Sequence, residues 1–200
     1  MAITTEAPAA PVVTKHAHEL TYDAYMAEPE VQGRYDIVNG VRIFMPGASR
    51  RHQRIADSIT QLLRAFERQT GLGMSVSAPY DVLIRRSPKM QTRQPDVLFV
   101  SYVRLTQSGS DSEEGPLEVA PELVVEVISS SETQRILSDK IVDYITIGVS
   151  ECWVVRPDAG TVEVLTPDGA SSAAIYGLGE TVQSGVFAGL AVLVADIFAP

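Results

Sequence analysis

PELVVEVISSSETQRILSDKIVDYITIGVSECWVVRPD, residues 121–158, decides how this chain folds. Its opening, ELVVEVI at 122–128, is a nearly unbroken apolar run of strand-forming residues, the pattern of a strand covered on both faces. The helical spacing that follows runs from about Glu132 to Ile147, with Ile136, Leu137, Ile141, Tyr144 and Ile145 as one buried stripe. Ser131 with Gln134 three residues on reads as a capping box, and Gly148 as the stop. ECWVVR at 151–156 then reads as a strand. The helix follows the first strand after only a few residues, so it packs back on the same sheet.

Outward from this unit the reading continues in both directions. Pro-Asp-Ala-Gly at 157–160 turns ECWVVR into TVEVL at 161–165, a hairpin. A Gly-punctuated strand pair is expected around 174–183, and LAVLVADIF at 190–198 is a short apolar end. Toward the N-terminus, DVLFV at 96–100 and the run 74–84, with a break at Pro79, read as strands, and 106–118 as a polar acidic loop. Residues 50–69 form the first long helix: Ile55, Ile59, Leu62, Leu63 and Phe66 make one apolar stripe, Ser49 caps it and Gly71 ends it. YDIVNGVRIFM alternates around Asn39-Gly40, so 34–45 is a hairpin, because a type I′ turn needs φ > 0 at both central residues. Thr21 to about Glu28 is a short helix. Residues 1–18, without hydrophobic period, read as a flexible leader, and 19–200 as a single domain. The class is α/β: a mixed β-sheet flanked by two main helices, with N-terminal and C-terminal β-hairpins.

Composition narrows the function. One Cys in 200 residues excludes a disulfide framework and a Cys-rich zinc site. No apolar run is long enough to span a membrane, and the first twenty residues lack the basic and apolar regions of a secretory signal, so a cytoplasmic protein is expected. The net charge of −9 speaks against a phosphate-bearing partner, but its distribution does not. Residues 34–104 hold 12 basic and five acidic side chains, a balance of +7, and the rest of the chain carries −16. Arg50, Arg51, His52 and Arg54 crowd the first turn of the long helix, where cations oppose the helix dipole. They suit an anion nearby, or simply an exposed polar face.

Three charged residues stand where charge is costly. Glu126 shares a strand face with Val124 and Ile128, and a carboxylate buried there costs several kcal/mol unless paired, hydrogen-bonded or metal-bound. Asp96 opens a strand behind Pro95, on the face of Leu98 and Val100. Lys140 falls on the buried stripe of its helix, between Ile136 and Tyr144. The helix brings Lys140 back over Glu126, so the two meet on one face. A structural ion pair satisfies that meeting. So does a centre for metal-dependent phosphodiester hydrolysis, in which carboxylates hold Mg²⁺ or Mn²⁺ and a Lys stabilises developing negative charge or positions the attacking water.

YDIVNG, SRRHQRIADSITQLLRAF, QPDVLFV, the 121–158 stretch and GETVQSGVFAGL together resemble the bacterial Uma-type family of restriction-endonuclease-like proteins, within the PD-(D/E)XK nuclease superfamily. The resemblance covers about residues 20–198. It implies a restriction-endonuclease-like core and Mg²⁺-dependent cleavage of DNA, or of RNA. By resemblance Asp96 and Glu126 are the metal-binding carboxylates, with the main-chain carbonyl of Val127 as a further ligand. The superfamily's Lys two positions after the Glu is replaced here by Ile128, and Lys140 matches the helix Lys that takes over its role. Tyr144 matches a supporting Tyr and His52 the His opening the long helix; Asp36 matches an acidic residue of the first hairpin, which by the resemblance makes it a candidate catalytic residue that helps the metal site. Val41 and Ile136 stand where the family usually has acidic residues. Arg50, Arg51, His52, Arg54, Arg85 and Arg86 are the candidate nucleic-acid contacts. Cleaving both strands of a duplex needs two centres, which a homodimer would supply. The competing reading is a catalytically inactive nucleic-acid-binding or protein-interaction module that keeps the fold.

Overall fold

The computed structural model describes residues 12–13, 19–107, 114–129, 133–167 and 174–199. The leader read over 1–18 lies outside the described residues except for Val12–Val13, whose backbone forms a short strand, β1.

A six-stranded mixed sheet carries the main core. Its members are β4 (Gly73–Ser77), β7 (Val97–Ser101), β8 (Leu123–Val127), β9 (Glu151–Arg156), β10 (Thr161–Leu165) and β11 (Ala174–Tyr176), in the order β11-β10-β9-β8-β7-β4. β8 and β9 are parallel, joined by helix α4 (Gln134–Ile147) as the crossover that parallel strands require. The other pairs are antiparallel. Period-two alternation sends residues of one strand to opposite faces. Val97, Phe99, Val125, Val127, Trp153 and Val155 pack under helix α2 (Arg50–Thr70), against Ile55, Ile59, Leu63 and Phe66. Leu98, Val100, Val124 and Cys152 pack on the opposite face with Tyr144 of α4. Glu126 belongs to this second face by register, which is how a strand hydrophobic on both sides comes to bury a carboxylate under α4.

A second sheet, of five strands, adjoins the first. It runs β1-β3-β2-β6-β5, with β2 (Tyr35–Val38), β3 (Val41–Phe44), β5 (Val82–Arg85) and β6 (Gln91–Arg93). The 34–45 hairpin is its centre, turning through Asn39 (φ 51°) and Gly40 (φ 78°). The chain crosses between the sheets three times: from β3 through the long helix α2 into β4, after β4, across Pro79, into β5, and from β6 through Gln94-Pro95 into β7. Asp96 stands at the last of these crossings, at the end of β7 that lies beside the C-terminal end of β8.

Several elements differ from expectation. α4 begins at Gln134 and its cap is Thr133, whose side chain accepts the Ile136 amide; Ser131 lies outside the described residues. β6 was invisible as QTR because its three residues are polar yet buried. Helix α3 (Tyr102–Gln107) enters the stretch expected as loop, of which 108–113 lies outside the described residues. The strands expected as a pair around 174–183 do not pair with each other. β11 joins β10, and β12 (Thr181–Gln183) joins β13 (Ala191–Leu193), the first part of the apolar end, which closes in helix α5 (Val194–Phe198). Helix α1 (Tyr22–Ala27) is capped by Thr21 as the sequence indicates.

Candidate active site

Asp96 and Glu126 end on neighbouring antiparallel strands, one residue beyond the Val97–Val125 pair. Two of the sequence-selected residues gather around Glu126. Lys140 Nζ donates to Glu126 Oε2 at 2.8 Å, and the Tyr144 hydroxyl donates to Oε1 at 2.6 Å. Both donors come from α4, one turn apart on the stripe that faces the sheet. Glu126 is 1% exposed and Lys140 4%, so the pair meets in the interior, where a charge without a partner costs several kcal/mol. Burial, then the Glu126 charge, pushes the Tyr144 phenol well above its ordinary range, so it stays a proton donor.

Asp96 is held differently. Its Oδ2 accepts the Val127 amide at 2.7 Å and lies 3.4 Å from His52 Nε2. Its Oδ1 is paired with Arg34 Nη1, and Arg34 Nη2 donates to the Gln94 carbonyl at 2.9 Å. Burial alone would raise the Asp96 carboxyl. The hydrogen bond from His52, with the charges of Arg34, His52 and Lys140, outweighs it and holds the group at about 2. His52 opens α2, where Ser49 caps its amide; its side chain is buried and Nδ1 has no partner among the described residues.

A cleft of about 350 Å³ leads to Asp96. Arg34, His52, Thr60, Arg64, Ser77 and Pro79 form much of its wall. Glu126, Lys140 and Tyr144 do not line it. The two carboxylates therefore divide the site: Asp96 faces the cleft, and Glu126 sits with its donors inside.

Asp36 is tied into a neighbouring network. Its Oδ2 accepts Arg93 Nη1 at 2.8 Å and its Oδ1 the Gln94 amide at 3.1 Å. Arg93 Nε reaches Asp143 Oδ2 of α4 at 2.7 Å. The charge of Asp36 still bears on Arg34 and Tyr144, helping to raise both. Of the proposed nucleic-acid contacts, Arg50, Arg51 and Arg54 are exposed on the first turns of α2. Arg51 spends a donor on Asp158 at 2.9 Å. Arg85 bonds Lys89, Asn39 and Gln91, and Arg86 pairs with Glu118 at 2.6 Å while lying over the Tyr22 ring. Neither Arg85 nor Arg86 lines the cleft.

Arg34 is the site residue that sequence reasoning missed. Its signal was present: it stands two positions before Asp36, so an extended strand puts both on one side.

Other buried carboxylates provide a contrast. Glu151 accepts the Trp153 indole N–H, the Ser184 hydroxyl at 3.2 Å and the Gly185 amide at 2.8 Å, and lies outside the site. It is satisfied by neutral, fixed donors. Asp96 and Glu126 each combine one neutral donor, the Val127 amide or the Tyr144 hydroxyl, with one cationic side chain, Arg34 or Lys140, which can be exchanged for another cation. Among the described residues no three His, Cys, Asp or Glu side chains cluster as a ready metal cage. Two carboxylates nevertheless suit Mg²⁺, which is commonly held by one or two carboxylates, several waters and substrate phosphate. The Val127 carbonyl also fits, because in a strand a residue's N–H and C=O point to the same edge, and the Val127 N–H points at Asp96. Among the described residues no helix is long and apolar enough to cross a membrane.

Comparison with known proteins gives a consistent picture. A family model described as "Uma2: Putative restriction endonuclease" matches residues 22–195. No curated protein matches the chain. A solved structure described as a putative nuclease belonging to DUF820, from Anabaena variabilis ATCC 29413, superposes with a TM-score of 0.73. It is 18% identical, and the match covers 90% of this chain and 97% of that one; the likeness is one of fold.

Proposed function

The chain belongs to the Uma2 family of restriction-endonuclease-like proteins, and from that premise we propose that it is a metal-dependent phosphodiester hydrolase of the PD-(D/E)XK type, acting on DNA. The observation that carries the reading is the convergence of Asp96 and Glu126 at one end of adjacent strands, with Lys140 bonded to Glu126.

Asp96, Glu126 and the Val127 carbonyl would hold Mg²⁺ or Mn²⁺, which supplies Lewis-acid polarisation of the phosphoryl oxygen and a more acidic bound water. Every other part belongs to the chain. The Val127 amide and His52 fix one oxygen of Asp96 and leave the other to Arg34. Tyr144 fixes Glu126 against the sheet. Lys140 is the cation that can stabilise negative charge developing on the phosphate, and the interior around it strengthens that interaction relative to water. The cleft carries Arg34 and Arg64 toward an incoming backbone. Cutting a duplex needs two such centres, and the proposal includes a homodimer for that reason.

A second reading has its own observation. All four carboxylate oxygens of Asp96 and Glu126 accept protein donors, as expected of a module that keeps the fold without the reaction. Supercoiled plasmid with Mg²⁺ or Mn²⁺ separates the two. The nuclease reading expects nicking or linearisation by the wild type and a loss of about 10²-fold or more in Asp96→Ala and Glu126→Ala. Equal activity in all three proteins, or none in the wild type, contradicts it.

A further inference from the structure

Arg34 is placed where a metal would need to bind. Asp96 has committed Oδ2 to the Val127 amide and to His52. Oδ1 is the oxygen left for an outside ligand, and Arg34 holds it. Arg34 also lines the cleft, and its side chain is 24% exposed. Its anchoring is incomplete: Nη1 and Nη2 have partners, and Nε is buried without one among the described residues. Arg93 makes the comparison clear. Its side chain is 7% exposed, and Nη1 and Nε hold Asp36 and Asp143 on two separate elements. Arg93 is built to stay, whereas Arg34 can leave its pair and remain in a cleft it already borders.

We propose that Arg34 is an exchangeable counter-ion of Asp96: it closes Oδ1 in the resting protein, yields it to a divalent cation, and then faces the cleft as a phosphate-binding fork. This rests on the reading of Asp96 as a metal ligand. A guanidinium suits both positions, since it pairs with a carboxylate and with a phosphate through the same planar donors. A cation entering beside Asp96 must displace Arg34, so affinity for metal alone is low. A backbone phosphate in the cleft offers Arg34 a new partner, so metal and nucleic acid favour each other's binding. Arg34 acts here as a positioning residue, through Asp96 and the phosphate.

Calorimetric titration with Mn²⁺, without nucleic acid, tests the exchange. Arg34→Gln removes the competing charge, and the proposal expects this variant to bind Mn²⁺ about tenfold or more tightly than the wild type. Equal or weaker binding by the variant, with wild-type binding intact, overturns the exchange and leaves the metal site standing. Absence of Mn²⁺ binding in both proteins overturns the metal reading itself, and the exchange with it. A second measurement uses the unaltered chain, so it does not depend on the variant folding. On saturation with Mg²⁺ the side-chain Nε–H resonance of Arg34 is expected to shift while that of Arg93 stays in place. A shift of neither or of both, under conditions where Mg²⁺ binds, counts against the proposal.

Discussion

The main-chain N–H of Val127 donates to Asp96 Oδ2 at 2.7 Å. This bond ties the first carboxylate to the backbone of the residue that follows the second. It fixes the spacing of Asp96 and Glu126 by strand register rather than by side-chain packing. The bond also favours the ionised Asp96, alongside His52, Arg34 and Lys140.

Stability should therefore depend on acid through Asp96. The folded carboxyl titrates at about 2, below its ordinary value of 3.8. The group contributes stability that is present above the unfolded value and lost as pH falls through the folded one. Linkage sets this at roughly 2 kcal/mol, disappearing between about pH 4 and pH 2. Urea midpoints measured across that window should fall steeply in the wild type, and Asp96→Asn should flatten that part of the curve.

Glu126 and Lys140 make a buried pair, and breaking one side should cost more than replacing both. Lys140→Met leaves Glu126 with the Tyr144 bond and no cation from α4. The expected loss is about 3–5 kcal/mol. Adding Glu126→Gln should recover part of it, because the buried negative charge that Lys140 balanced is then removed. A double-mutant cycle by urea unfolding gives the coupling. Additive losses would show that the pair is not an energetic unit. Tyr144→Phe should cost about 1–3 kcal/mol by leaving one Glu126 oxygen without its donor.

Helix α2 presents Arg50, Arg54, Arg64 and Arg68 on its exposed side, at spacings of four, ten and four residues that keep all four on one face. The stripe runs about 27 Å, and Arg64 also borders the cleft. Each Arg→Ala change there should weaken DNA binding at every sequence and reduce the slope of log affinity against log salt by about one. Arg86→Ala should move the slope less, since Arg86 already pairs with Glu118 and lies over Tyr22. Fluorescence anisotropy across a salt series measures both.

Cys152 is buried between the central strands, and burial followed by the charges of Glu126 and Glu151 pushes its thiol up to about 12. A thiol reagent should leave the native protein unmodified and label it only as it unfolds, because the thiolate is the reactive form. Rapid labelling at neutral pH in native buffer would contradict the described packing around β9.

The sequence was most informative where burial repeats with a period. The alternation of β8 exposed Glu126 as a charge in the wrong place, and the α4 stripe carried Lys140 and Tyr144 to it. Expectation failed where local pattern is overruled by tertiary partners. β6 is three polar residues buried because Gln91 and Arg93 find Asp143, and Arg93 also finds Asp36. No hydrophobic period marks such a strand. β11 and β12 look like a hairpin in sequence, yet each pairs with its other neighbour along the chain, β11 with β10 and β12 with β13. Arg34 was overlooked for a related reason. A cation before a strand is unremarkable until the fold sets it beside a carboxylate 62 residues away.

The central claim is that Asp96 and Glu126 share one divalent cation. Anomalous diffraction from crystals soaked with Mn²⁺ and a short uncleavable oligonucleotide tests it most directly. The account predicts a Mn²⁺ peak ligated by Asp96, Glu126 and the Val127 carbonyl, with Arg34 turned from Asp96 to a phosphate. Full binding of the oligonucleotide with no peak there, and with Arg34 on Asp96 and Lys140 on Glu126 unchanged, would contradict it.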